Sequence, residues 1–74
     1  MPAVPVISGR EARRAFEQAG WHFDRQRGSH MILIRSGRNV TLSVPDHREI
    51  ARGTLRGLIR AAGMTVEEFV SFLD

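Results

Sequence analysis

Met31-Ile32-Leu33-Ile34 is the most apolar run in the chain, entered through Arg27-Gly28-Ser29 and then His30. Beyond its first residue both alternating sets of side chains are apolar. A strand of that kind needs cover on both faces, so it belongs in the middle of a sheet with a strand on each edge. The flanking sequence supplies both neighbours. Trp21 to Gln26 alternates, with Trp21, Phe23 and the stem of Arg25 on one face and His22, Asp24 and Gln26 on the other. Arg27-Gly28 reads as a tight hairpin turn, because glycine tolerates positive φ. After a second turn at Ser36-Gly37-Arg38-Asn39, Val40, Leu42 and Val44 alternate with Thr41 and Ser43. Pro45 closes this third strand, having no amide to give a ladder.

Helices bracket the strands. Ser8-Gly9-Arg10-Glu11 is a capping box, and Ala12, Ala15, Phe16 and Ala19 fall on one face of a helix from about 9 to 19. Gly53-Thr54 precedes Leu55, Leu58, Ile59 and Ala62, which predicts a helix from about 54 to 62 ended by Gly63. Thr65-Val66-Glu67-Glu68 is a second capping box, with Met64 and Phe69 placed to staple a short helix from about 66 to 73. The expected architecture is α+β. It has two layers in the order α-β-β-β-α, a three-stranded antiparallel sheet and a short extra C-terminal helix, all in one domain over residues 1–74. Helices on one side would leave the other sheet face open to a ligand or partner.

Charge narrows the choice of partner. Every basic side chain is arginine, and the formal net charge is +3. Residues 1–60 hold all 11 arginines against five carboxylates, a net +6; residues 61–74 hold only Glu67, Glu68 and Asp74. Guanidinium forks two donors toward two oxygens, which suits phosphate. Arg52, Arg56 and Arg60 share one stripe of the second long helix, close to an N-terminus whose free amides also favour phosphate. The other reading of that stripe is a solvated charged face. With no cysteine, and with His22, His30 and His47 far apart in sequence, the chain offers no metal-ligand spacing. No segment approaches the ~20 apolar residues that span a bilayer, and Met1 to Ile7 lacks the pattern of a signal peptide. These features point to a cytoplasmic protein without cofactor or membrane partner.

Imidazole exchanges protons near neutral pH. His30 at the mouth of the central strand is therefore either a strand-end residue with a satisfied hydrogen bond or an acid–base group. The loop Pro45-Asp46-His47-Arg48 adds a second histidine, with Asp46 and Glu49 placed to orient a histidine or an arginine unless Asp46 serves the turn alone.

Four segments carry a resemblance: Ala19-Gly20-Trp21, Arg25 to His30, Val44-Pro45-Asp46-His47, and Gly53 to Gly63. In this order and spacing the chain resembles the HicA toxins, small mRNA interferases of HicA/HicB toxin–antitoxin pairs, from about Ser8 to Gly63. The resemblance implies a double-stranded-RNA-binding-like fold and metal-independent cleavage of mRNA that inhibits translation. It marks His30 as the essential histidine, with Gly28 holding the turn, and implies a HicB-like antitoxin that covers the active surface. Two departures stand out. Met31 follows the motif histidine where many relatives have a second histidine or an aromatic residue, and the lysines common in relatives are replaced by arginine.

On this reading His30 is the catalytic group. Arg27 and the amides of Gly28 and Ser29 bind the scissile phosphate, Arg52 and Arg56 bind RNA elsewhere, and His47 is a second participant to be tested. A non-catalytic RNA-binding module of the same fold is the alternative. It would need the arginines and not the histidine.

Overall fold

The structure is a computed structural model and describes residues 3–73. Its elements are α1 (Gly9–Gln18), β1 (His22–Arg27), β2 (His30–Ile34), β3 (Leu42–Pro45), α2 (Arg52–Ala61) and α3 (Val66–Ser71). The three strands form one antiparallel sheet in the order β1-β2-β3. The apolar run is thus the central strand, and the α+β layout expected from the sequence is the one observed.

All the helices pack on one side. Met31 and Leu33 of β2, with Leu42 and Val44 of β3, join Ala12, Ala15 and Phe16 of α1, Leu55 and Ile59 of α2, and Phe69 of α3 in a single core. Ile32 is also buried, at 6% exposure, yet it lies outside that cluster because it points to the opposite face. Both capping boxes form. Ser8 Oγ accepts from the Glu11 N–H at 3.0 Å, and Thr65 Oγ1 accepts from the Glu68 N–H at 3.1 Å. The β2–β3 turn braces the helix layer from its far end. Arg35 donates to the Ala19 carbonyl at 2.9 Å and Arg38 to the Ala61 carbonyl at 3.3 Å, placing cations at the negative ends of α1 and α2.

Besides α3, which ends at Ser71 and not near residue 73, four details differ from the sequence reading. Helix α2 starts two residues early, at Arg52, with Ala51 as an N-cap that makes no side-chain bond. Without a strong capping residue, the apolar periodicity could not fix where the helix begins. Strand β3 starts at Leu42, leaving Val40 exposed outside the sheet. The hairpin turn is Gly28-Ser29, with Arg27 still paired in β1.

The fourth difference lies within β1. Phe23 pairs with Leu33 and Arg25 with Ile32, so the register shifts and Asp24 is left without a partner. Such a bulge reverses the alternation beyond it. Phe23 stays on the helix side, stacked under the Arg13 guanidinium at 4.0 Å, whereas Arg25 and Arg27 turn to the open face. Trp21, Phe23 and Arg25 therefore do not share one face.

Candidate active site on the open sheet face

The open face is built in rows across the strands. Pairing sets Arg27 beside His30 and His30 beside Pro45; one step along, Arg25 neighbours Ile32 and Ile32 neighbours Ser43; furthest along, His22 neighbours Ile34. Since Met31 and Leu33 fill the core, His30, Ile32 and Ile34 face away from it. His30 is exposed and central in its row.

The turn beside it is constrained. Gly28 has φ +56°, and no residue other than glycine has positive φ among the described residues. Positive φ at the first central position followed by negative φ is the pattern of a type II′ hairpin turn, whose twist suits the flanking strands. The Asp46 N–H donates to the Ser29 carbonyl at 2.7 Å, which ties the turn to the end of β3. Arg27 and His30 are thus fixed as the closing pair of a short, anchored hairpin. A shallow open depression next to them is lined by Arg27, Gly28, His30, Ile32 and Ser43.

Charge at this site comes from arginine. Among the described residues the ion pairs are Arg10–Asp46, Arg13–Glu17 and Arg25–Asp24, and Arg27 enters none of them. Its guanidinium is left to meet an anion arriving from solvent. No group of three His, Cys, Asp or Glu residues is arranged to hold a metal ion among the described residues.

The structure gathers some of the expected residues and separates others. Arg27, Gly28 and His30 come together, with Ser29 adjacent in the turn. His47 does not line the depression. Its carbonyl accepts from the Gly9 N–H of α1 at 2.8 Å, so the chain there has left the sheet for the helix layer. Arg52 and Arg56 are exposed on α2, also away from the depression. Asp46 pairs with an arginine, Arg10 of α1, at 3.3 Å, and so ties its loop to the helix layer and not to His30. Sequence reasoning left out Ser43 and Ile32. The alternation of Leu42 and Val44 against Ser43 could have found the serine; Arg25 could not be found that way, because the bulge hides it.

Among the described residues no helix is long and apolar enough to cross a membrane. No curated protein matches the chain significantly. The model of one family, the HicA toxin of bacterial toxin–antitoxin systems, matches residues 9–64. That stretch takes in α1, all three strands, α2 and every residue lining the depression, and over this span the chain belongs to the HicA toxin family.

Proposed function

We propose that this chain is the toxin of a type II toxin–antitoxin pair, a metal-independent endoribonuclease that cuts mRNA, stops translation and is neutralised by a HicB-like antitoxin. The observation that carries the reading is the closing pair of the hairpin: Arg27, free of any ion pair among the described residues, stands directly across from His30 at an open depression.

RNA brings its own nucleophile. The 2′ oxygen bonds to the adjacent phosphorus, the P–O5′ bond breaks, and the proton lost by the 2′-OH is balanced by one gained at O5′. His30 acts on that proton as general base and acid, a role worth typically ~10²–10⁴-fold. Arg27 and the amides of Gly28 and Ser29 hold the phosphate as its charge builds. The reaction calls for no resident cofactor, since nucleophile and leaving group both belong to the substrate. Arg52 and Arg56 contact the strand beyond the site through phosphate, and His47 is the residue to test for a second proton-transfer role.

The test is cleavage of a long, unstructured RNA in the presence of EDTA, comparing wild type, His30→Ala and His47→Ala, each shown to be folded by circular dichroism. Cleavage lost only in His30→Ala is the expected result. Equal cutting by wild type and His30→Ala would make His30 structural. Salt-sensitive binding without cleavage would leave an RNA-binding module of the same fold.

A further inference from the structure

The row next to the Arg27–His30 pair is the feature that the proposed chemistry does not use. It consists of Arg25, Ile32 and Ser43, set side by side on three strands. We infer that this row is a subsite for single-stranded RNA, in which Arg25 binds the phosphate neighbouring the scissile one and the Ser43 hydroxyl contacts the nucleotide between them. The inference rests on the nuclease reading for which phosphate is scissile.

Four observations converge on it. Arg25 faces this side only because Asp24 bulges out of the β1–β2 ladder; regular alternation from the buried Trp21 would turn it inward. Ser43 is the polar break between the buried Leu42 and Val44, and it lines the same depression as His30. Ile32 lies between the two as a closed apolar floor, at 6% exposure on a face with no helix over it. The dimensions also fit. Two strand spacings separate Arg25 from Ser43 by about 10 Å, and two residues along the strand separate this row from the His30 row by about 7 Å. One nucleotide of an extended strand spans such a step, and the flat sheet face admits a single strand whose bases are not paired.

Asp24 does not block the site. It engages Nη1 of Arg25, while the side chain of Arg25 remains 52% exposed and its other donors stay free.

The experiment uses chimeric oligonucleotides that carry one ribonucleotide, so that only one bond can be cut. A minimal two-nucleotide substrate is compared with substrates lengthened by one nucleotide on either side. For wild type, one of the two extensions should raise kcat/KM by about tenfold, the value of one charged hydrogen bond. In Arg25→Gln that gain should shrink while cleavage of the minimal substrate stays near wild type; Ser43→Ala, whose partner nucleotide is already present in the minimal substrate, should slow both substrates alike. An undiminished gain in Arg25→Gln, or cleavage of the minimal substrate by Ser43→Ala at the wild-type rate, overturns the subsite.

A second readout does not depend on cleavage. Affinity for a fully 2′-O-methylated RNA strand, measured by fluorescence anisotropy, should fall in Arg25→Gln and Ser43→Ala but not in an Arg14→Gln control on the helix side. If wild type cuts no RNA, the nuclease assignment fails; this affinity loss then still upholds the row as an RNA contact, and unchanged affinity overturns it.

Discussion

Gly9 and Pro45 touch backbone to backbone: a Cβ added to Gly9 would stand 1.9 Å from the Pro45 carbonyl oxygen. Pro45 is the residue paired with His30, so this contact sets how closely the helix layer approaches the strand end that frames the candidate site. Gly9→Ala should destabilise the chain by about 1–3 kcal/mol, the usual cost of overpacking, because a backbone neighbour cannot swing aside. Urea denaturation measures it. Gly57→Ala, which meets nothing within 4 Å, is the control and should be neutral or slightly stabilising.

Deleting Asp24 should be tolerated, which is unusual for a residue inside a strand. The partners of β1 already run without a gap from Ile34 to His30 once Asp24 is skipped. The shortened chain should fold with Arg25 and Arg27 still on the open face. Deleting Gln26 instead should turn Arg27 toward the core and lower the melting temperature sharply, since a one-residue slip moves side chains across the sheet. Thermal unfolding of the two variants side by side decides the matter.

Arg27→Lys keeps the charge and loses the planar fork. If Arg27 holds the phosphate through two donors, kcat/KM for RNA should fall on the order of tenfold, with Arg27→Ala falling further. Unchanged turnover in the lysine variant would mean that only the charge matters.

Glu11 gives the fold an acid-sensitive component. A hydrogen bond from the Ser8 backbone N–H at 2.9 Å, and then the Ser8 side chain, hold the carboxyl below the ordinary glutamate range, and the nearby Arg14 guanidinium adds to the effect. A lowered folded-state pKa means that this contribution is complete above the unfolded-state value and is lost as pH falls through the folded one. Urea midpoints measured from neutral pH downward should therefore fall in the acid range below the usual glutamate value. Glu11→Gln should flatten that part of the curve.

Arg13 should matter more than its neighbour Arg14. Its guanidinium lies 4.0 Å from the centre of the Phe23 ring and 3.8 Å from Met31 Sδ, joining α1 to the edge and the centre of the sheet. Arg13→Ala should cost about 1 kcal/mol, largely retained in high salt, whereas the Arg13–Glu17 ion pair is screened away. Arg14→Ala should stay within about 0.5 kcal/mol.

Much of this was legible in the sequence because the signals were redundant. The capping boxes at Ser8 and Thr65, the apolar run after His30 and the turn glycine each fix an element independently. What stayed hidden depended on long-range pairing. The bulge at Asp24 has no local signature, yet it decides which way Arg25 and Arg27 point. The start of α2 was misplaced because Ala51 caps without a side-chain bond. Arg13 lies off the apolar face of α1, and only the assembled sheet brings Phe23 beneath it. His47 comes two residues after Pro45, the partner of His30, but its carbonyl bonds to the Gly9 N–H of α1 and it does not line the depression.

Phe69 has a meaning that its burial alone does not convey. It packs against Phe16 with ring centres 4.8 Å apart, and it lies in α3, past the last residue of the family match at position 64. Val4, also fully enclosed, lies before the first. The stretch that matches the family is therefore shorter than the stretch that seals this interior. A fragment trimmed to the matched residues would keep every group around His30 and still uncover the side of Phe16 that Phe69 closes.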